Sequence, residues 1–372
     1  MRFVKLNSIC TFKQWKTLPI KELLPIGYPV YGANGIIGYS SSYNHTTPTL
    51  MICCRGATCG AINASFGKCY INGNAMALDN LSSEFDFDYV RMFLKHFDFS
   101  EIVTGAAQPQ ITQIGLSTIQ IPKPSLEQQR HISKQLLHFE TLINVKYTEL
   151  SDLDSLVKSR FIDMFKEWNL SFQKENWIKL SDLTNIYTGT TPKTEIEEYW
   201  NGLIPWVTPA ELDKDSYLIT DTERHITKKG QKSKSLTMMP IGTVLLSTRA
   251  PIGKVAICGV PMTCNQGFKN FECLEKLHPT YLFYLLKLNN DWLQTQGTGT
   301  TFKEISKSKA GNIRIPVPTM SDQKDFAQFY NLVDKSRFVV HSRYFLWLNF
   351  TFVSSTIAYS RVVSILECPK RC

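Results

Sequence analysis

The stretch IQIPKPSLEQQ at residues 119–129 has a second version, IRIPVPTMSDQ, at residues 313–323. Pro122 and Pro316 lie 194 residues apart (316 − 122 = 194), and the same offset relates Arg55 to Arg249. It also relates TGAAQPQI at residues 104–111 to TGTTFKEI at residues 298–305. Three separated matches in one register predict a tandem duplication.

The openings of the two copies match at a shorter offset. VKLNSI at residues 4–9 corresponds to IKLSDL at residues 178–183, a separation of 174 (178 − 4 = 174). The second copy is therefore about 20 residues longer between its opening and its arginine. We expect the stretches in which the copies differ in length, around residues 10–54 and 184–248, to carry the binding specificity of each copy.

The quoted stretch marks the end of a strand and the start of a helix. Pro122 and Pro124 hold the chain extended. Ser125 followed by Gln128 fits a capping box, and Glu127 places negative charge at the positive end of the helix dipole. Thr319 and Asp322 do the same in the second copy, so both copies predict a helix at this point.

The first of these helices carries a long apolar seam. A spacing of three and four residues indicates a coiled-coil stripe of about 40 residues, roughly 60 Å long. A helix of that length needs a partner helix, and the second copy supplies a candidate. The seam positions are Ile132, Leu136, Phe139, Ile143, Lys146, Leu150, Leu153, Val157, Arg160 and Met164.

The second helix begins with the same pattern and then loses it. Phe326, Tyr330, Val333 and Val340 occupy seam positions, but helix formers become rare from His341 onward. Residues 344–360 are uncharged, yet six of them are Asn, Ser or Thr, so a membrane span is the weaker interpretation. We favour an incomplete spacer helix with an aberrant, frameshifted tail from about residue 341.

Composition limits the class of protein. The chain has 372 residues, 43% of them hydrophobic, and a net charge of +9, which suits two globular domains with a polyanionic partner. Its ten cysteines include no CxxC pair, and the start lacks a secretion signal. We therefore expect a cytoplasmic protein with free thiols and no metal site.

Local patterns predict a mixed fold in each copy. Short β-forming runs with frequent Gly and Asn, such as residues 28–40 and 242–259, indicate strands and tight turns. Residues 87–97 and 279–294 have helical spacing. We predict an α+β (mixed α/β) class with twisted sheets, and four segments: 1–124, 125–168, 169–318 and 319–372.

Signatures of the common enzyme classes are missing. The sequence contains no GxxxxGK[ST], GxSxG or HExxH, no ExK, and no Asn-Pro-Pro or Asp-Pro-Pro. The seven histidines show no pattern. We therefore expect a chain without catalytic residues.

With these features the sequence resembles the specificity subunit of type I restriction-modification systems, over about residues 3–340. The most specific pieces are PVYGANGIIGY at residues 29–39, YTGTTPKT at residues 187–194, IPWVTPAEL, TCNQGF and the two paired motifs above. The resemblance implies two target-recognition domains whose long helices pack antiparallel as a spacer, so that each domain reads half of a bipartite target in double-stranded DNA.

The resemblance also implies partners. Two methyltransferase subunits, with S-adenosylmethionine, would bind the helices, and restriction (translocase) subunits using ATP and Mg would join them. This chain itself would bind no cofactor and no membrane. Two alternatives stay open: a truncated or silent specificity cassette that binds DNA weakly and does not assemble, and a stand-alone DNA-modifying enzyme.

Candidate DNA contacts follow from side-chain chemistry. Arg55 and Arg249 precede glycine-rich turns and are expected to be framework residues near the DNA, with a structural ion pair as an equal alternative; Trp206 is expected in the core. Lysines suit phosphates, and amides and hydroxyls suit base edges. The phosphate candidates are Lys193, Lys228, Lys229, Lys232, Lys234, Lys303 and Lys307, and the base-edge candidates are Asn34, Gln110, Thr191, Thr208 and Gln266.

Overall fold

A computed structural model describes residues 2–105, 108–213, 216–299 and 303–354, with side chains described as far as Arg337. The chain forms two compact units, one of residues 1–147 together with residues 345–354, and one of residues 148–344. The division falls within the first long helix. Of the tail expected from about residue 341, residues 355–372 lie outside the described residues.

The first unit contains a four-stranded antiparallel sheet and a small three-stranded sheet. Its elements are β1 (Phe3–Lys5), β2 (Thr11–Gln14), β3 (Tyr28–Gly32), β4 (Gly35–Ser40), β5 (Thr49–Cys53), β6 (Ile62–Ser65), β7 (Tyr70–Ile71), β8 (Ala75–Asp79), α1 (Phe87–Lys95), β9 (Val103–Thr104), β10 (Gln110–Ile111), α2 (Gln113–Thr118), β11 (Gln120–Pro122) and α3 (Leu126–Met164). The sheet orders are β2-β8-β5-β6 and β4-β3-β7.

The second unit continues the chain order. Its elements are β12 (Ile178–Lys179), α4 (Leu180–Leu183), β13 (Thr184–Thr188), β14 (Trp200–Val207), β15 (Leu218–Ile219), β16 (His225–Ile226), α5 (Lys228–Ser233), β17 (Val244–Leu246), β18 (Val255–Cys258), β19 (Thr263–Cys264), β20 (Lys269–Cys273), α6 (Pro279–Leu288), α7 (Asn290–Thr295), α8 (Lys307–Gly311), β21 (Arg314–Ile315) and α9 (Met320–Ser354). The sheet orders are β13-β20-β17-β18-β15 and β16-β14-β19.

The two units share one topology, which confirms the predicted duplication. Strands β13, β20, β17 and β18 follow the order of β2, β8, β5 and β6, and β15 adds an edge strand in the second unit. Each small sheet contains one parallel pair, β3 with β7 and β14 with β19. The longer second copy therefore places its extra residues partly in β15 and around the small sheet.

The central strands explain why each sheet is stable. All five residues of β5 are buried, as are all three of β17. Strands this apolar must be covered on both faces, and the cores that cover them include the helices α1 and α6. The mixed α+β class is confirmed.

In both units the paired motif ends a strand and begins a long helix, as predicted. Val4 pairs with Ile121 in the first unit, and Ile178 pairs with Ile315 in the second. The Ser125 hydroxyl accepts from the Gln128 backbone N–H at 3.3 Å, while the Gln128 side chain accepts from the Ser125 N–H at 3.1 Å. The short strand that opens each copy thus pairs with the strand that closes it, immediately before the long helix.

A buried glutamine ties each long helix to its domain. Gln129 is fully buried, and its side chain accepts from the Asp86 N–H at 2.8 Å and donates to the carbonyls of Glu84 and Pro124 at 3.1 Å. Gln323 makes the corresponding contacts in the second unit. The sequence pattern alone did not single out either glutamine.

The predicted seam positions of α3 differ in burial along the helix. Ile132 packs on the core of the first unit, whereas Val157 lies in the core of the second. The buried positions then continue at Phe161 and Phe165, while the predicted position Arg160 is exposed, with its guanidinium 6.0 Å from the centroid of the Phe329 ring of α9. The other predicted seam residues are half-buried: Leu136, Phe139, Ile143, Lys146, Leu150, Leu153 and Met164.

Within the second unit, the end of α3 packs antiparallel against the start of α9. The ring centroids of Phe161 and Phe326 are 4.9 Å apart, and Asp154 forms an ion pair with Arg337. Residue numbers rise along one helix as they fall along the other. The backbone of α9 stays helical to Ser354, beyond His341 where the seam pattern ends.

The predicted helix at residues 279–294 is two helices. Asn289 separates α6 from α7, and its buried side chain accepts from the Leu170 N–H at 2.8 Å and donates to the Trp168 carbonyl at 2.9 Å. The break therefore anchors the chain that follows α3 to the core of the second unit.

Candidate nucleic-acid interface

Arg249 belongs to an ion-pair network at one end of the large sheet of the second unit. Its Nε donates to Glu304 at 2.9 Å, and Lys269 donates to the other carboxylate oxygen at 3.1 Å. Burial by itself would raise the pKa of Glu304, but hydrogen bonds from Lys269 and Arg249 outweigh it and lower that pKa. The structural ion pair is therefore present, while the Arg249 side chain stays about half exposed.

The first unit holds Arg55 at the equivalent place, where the part of the chain that the structure describes provides no ion pair for it. Arg55 forms an antiparallel bridge with Gln110, just as Arg249 does with Glu304. Gln110 also pairs with Thr104 across β9 and β10. The Arg55 and Gln110 side chains are therefore brought to one loop cluster, where a glutamine takes the position of the carboxylate.

Replacing Glu304 by glutamine tests the network. We expect Glu304→Gln to lower the free energy of unfolding by about 2 kcal/mol at pH 7, because Lys269 is only 7% exposed and would lose its anion. Folding lowers the pKa of Glu304. The contribution of this carboxylate to stability is therefore fully present above its pKa in the unfolded state, about 4.3, and is lost as the pH falls through its lower pKa in the folded state.

The measurement is urea unfolding at pH 7 and again near pH 4, where the difference between the variant and the parent should shrink. Arg249→Gln is the matched control, since it leaves the contact between Lys269 and Glu304 in place and should cost less than about 1 kcal/mol. Equal losses in the two variants would contradict this assignment.

Two of the predicted polar residues meet directly. The Thr191 hydroxyl donates to the Gln266 side-chain oxygen at 2.6 Å, and Gln266 is exposed. In the first unit, the exposed Asn34 accepts from the Thr58 hydroxyl at 2.5 Å. Each pair joins two loops and leaves polar groups at the surface.

Thr208 has a local structural role. Its backbone N–H and its hydroxyl both donate to Glu211, at 2.8 and 3.0 Å, and close a capping box on a short 3-10 turn. A hydroxyl engaged in this way is poorly available to a base edge. Its assignment as a base contact stays a prediction, with the cap as a competing role.

The small sheet of the second unit carries most of the lysine candidates. All four lysines of the α5 region are exposed, and Lys229 forms an ion pair with Glu198 at 2.8 Å. The Lys193 side chain is exposed on a loop, and the Lys193 backbone carbonyl accepts from the Trp200 ring N–H. The lysines at α5 are Lys228, Lys229, Lys232 and Lys234.

Arg224, which the sequence did not single out, lies on the same surface. Its guanidinium lies 3.6 Å from the centroid of the Trp200 ring and 5.3 Å from that of Trp206. Trp206 is buried, as expected for a core residue. Stacking on two indoles holds the arginine in one orientation. No local pattern links Arg224 to Trp200, because the two meet only across the folded sheet.

The other two lysine candidates belong to the Arg249 region. Lys303 is exposed and immediately precedes Glu304, and Lys307 is exposed at the first position of α8. The candidates of the second unit therefore fall into two groups, one around α5 and one around the loops that hold Arg249.

A cleft of about 930 Å³ in the first unit is lined by residues outside the prediction. In its wall, His45 is buried between the Asn44 side-chain oxygen at 2.6 Å and Asp79 at 2.9 Å, and the Trp15 ring N–H donates to Asp79 at 3.1 Å. Both ring nitrogens of His45 have hydrogen-bond partners, so the cluster has a structural role in the fold.

Across the described part of the chain, no group of three or more His, Cys, Asp or Glu side chains is placed to hold a metal ion. The cysteines described there are unpaired, and burial raises the pKa of Cys10 and Cys264 to about 12. None of the described helices is long and apolar enough to span a membrane.

Comparison with known proteins identifies the family. The profile described as "Type I restriction modification DNA specificity domain" matches residues 1–153 and, a second time, residues 174–338. The chain belongs to this family. The two matches correspond to the two copies of the duplication.

Two relatives illustrate the similarity. The chain is 39% identical over 184 residues to the type I restriction enzyme MjaIX specificity subunit of Methanocaldococcus jannaschii, covering 48% of this chain and 43% of that protein. It is 26% identical over 222 residues to the EcoR124I/EcoR124II specificity subunit of Escherichia coli, covering 57% and 53%. These matches span about half the length of the relatives.

The fold has a counterpart among solved structures. The crystal structure of a type I restriction-modification S subunit from M. genitalium aligns with a TM-score of 0.62 and 16% identity, covering 100% of this chain and 96% of that one. At this identity the likeness shows a shared fold.

Proposed function

We propose that this chain is the DNA-reading specificity subunit of a type I restriction-modification complex. The observation that carries the proposal is the repetition, in both units, of one sheet order and one bridge between an arginine and a closing hairpin, followed each time by a long helix. Two related readers on one chain suit a target made of two half-sites.

The charge and surface chemistry support duplex DNA as the ligand. A net charge of +9 and exposed lysines favour a polyanion. Amides and hydroxyls on neighbouring loops suit base edges. The chain reads the target, and its partners do the chemistry: two methyltransferase subunits with S-adenosylmethionine, and restriction subunits with ATP and Mg.

The long helix supports a spacing role. Helix α3 has 39 residues, which corresponds to about 60 Å at 1.5 Å per residue. Two readers on one face of B-DNA must lie about 34–36 Å apart or at a multiple of that distance. Because a helix resists bending, it would fix the distance between the two readers, and with it the number of DNA helical turns between the half-sites.

Co-purification tests the proposal. The chain, co-expressed with a methyltransferase subunit of a type I system from the same host, should form a complex that transfers labelled methyl groups to DNA. Neither component alone should do so. Methyl transfer by this chain alone would establish the stand-alone enzyme. Failure to co-purify would establish the silent cassette, the alternative that rests on the loss of the seam pattern after His341.

Lys228 and Lys232 provide a test of the phosphate contacts. Both are exposed on α5, and replacing both by alanine should weaken binding to all duplexes equally. The slope of log K against log salt should become shallower by about 0.9 for each phosphate that is no longer neutralised. The measurement is a salt titration of duplex binding by fluorescence anisotropy.

Lys166→Ala is the control, since this lysine is also exposed but pairs with Asp163 at the end of α3. It should leave the salt slope unchanged. A change of sequence preference with no change of slope would show that Lys228 and Lys232 do not contact phosphates.

A further inference from the structure

Leu203 is 95% exposed, in the middle of strand β14. Trp200 and Ile204 both pair with Ile226 of the neighbouring strand, so the residues between them form a bulge. Single exposed leucines are common on protein surfaces. This one is unusual because the backbone around it is specialised.

Two neighbours hold the bulge in its shape. Asn201 has a φ of 59°, in the left-handed region that few residues adopt. A Cβ on Gly202 would lie 2.4 Å from the Ile226 carbonyl oxygen, so only glycine fits there. Bulges of this kind redirect a side chain and are frequent beside functional sites. Here the result is a leucine directed into solvent.

The surroundings of the bulge are basic. Gly202 lies against Ile226 and Thr227, and Thr227 caps α5 with its exposed lysines. Arg224 is stacked on Trp200, at the other end of the bulge. An apolar side chain that projects from a positively charged surface fits a ligand with anionic edges and an apolar interior, and duplex DNA has that chemistry.

We propose that Leu203 is a specificity-determining residue that contacts the apolar surface of a base in the half-site bound by the second unit. The inference rests on the proposed function and adds the residue and the type of contact. The lysines and Arg224 hold the phosphates, and Leu203 enters the groove between them.

The first unit has a similar arrangement at its small sheet. Ile26 is 82% exposed and is followed by Gly27, where a Cβ would lie 2.5 Å from the Ser40 carbonyl oxygen. Tyr28 packs edge-to-face against Tyr43, with their ring centroids 4.9 Å apart, and the Lys68 Nζ lies 5.0 Å from the centroid of the Tyr43 ring. An exposed aliphatic side chain beside a glycine without space for a Cβ therefore occurs in both copies.

The test uses the complex of this chain with its methyltransferase and a target identified by methylome sequencing. Leu203→Ser should weaken binding to the target duplex about tenfold, the effect of removing a single base interaction, with an unchanged salt slope and unchanged binding to a scrambled duplex. Leu203→Met should retain most of the affinity. Ile241→Ala, at another exposed position of the same unit, should have no effect.

Base substitution locates the interaction. The weakening in Leu203→Ser should be confined to one position of one half-site, and replacing thymine by uracil there distinguishes a methyl contact from insertion between bases. Equal target binding by Leu203→Ser and the parent would overturn the inference, as would loss of the methyltransferase from the complex. If the parent complex itself does not distinguish target from scrambled DNA, the proposed function fails instead.

Discussion

Gln323→Leu is expected to lower the free energy of unfolding of the second unit by about 3–5 kcal/mol. The glutamine is fully buried and accepts from the His278 N–H at 2.8 Å. It donates to the carbonyls of Lys276 and Pro318 at 3.1 and 2.9 Å. Leucine has a similar volume but leaves three backbone groups without partners, each worth about 1–3 kcal/mol when buried.

The measurement is urea unfolding followed by tryptophan fluorescence. Gln328→Leu is the matched control, because Gln328 lies on the same helix and is exposed, so the same change should cost less than about 0.5 kcal/mol. In the first unit, Gln129→Leu should show the large loss and Gln135→Leu, which is exposed, the small one. Similar midpoints for the buried and exposed variants would show that the glutamines do not hold the helices to their domains.

These glutamines show what the sequence pattern could and could not supply. The capping boxes were predictable because Ser125 and Gln128 are three residues apart, within the range of a local motif. Gln129 looks like any polar residue in a first helical turn. Its partner Asp86 lies far away in sequence and is brought near only by the packing of α1 against α3.

The helix seam shows a second limit. A spacing of three and four residues assumes one supercoiled partner along the whole helix. The last part of α3 instead buries Val157 and Phe161, and Phe165 just after the helix continues the same spacing of four residues, against the domain core and α9. A rule for uniform coiled coils therefore selected Arg160, which lies exposed beside Phe329 of α9, and did not select the buried Phe161.

The candidate DNA contacts divide in the same way. Arg55 and Arg249 were found through the repeat offset, and the equivalent bridges they form are consistent with a framework role. Neither Arg224 nor Leu203 belongs to a repeated segment or to a sequence motif. They are recognisable only once the small sheet places one on Trp200 and directs the other into solvent.

Lengthening α3 is expected to change the target while leaving its half-sites intact. Repeating residues 148–151 after Ser151 adds about one helical turn, or about 6 Å. The insertion lies before Asp154, so the described packing against α9 in the second unit remains intact. At about 3.4 Å per base pair, the unread gap should grow by one or two base pairs. Methylome sequencing of cells carrying the variant measures the gap directly.

Two variants separate a stiff spacer from a flexible tether. Changing the exposed residues Ser151, Ser155 and Ser159 to alanine keeps the length and should leave the gap unchanged. A four-residue insertion containing proline has the same length but breaks the helix, because proline removes a hydrogen bond and clashes with the preceding turn. It should abolish methylation, since the two readers would lose their fixed separation. If methylation continued with the same lengthened gap, the helix would be acting only as a tether of suitable length.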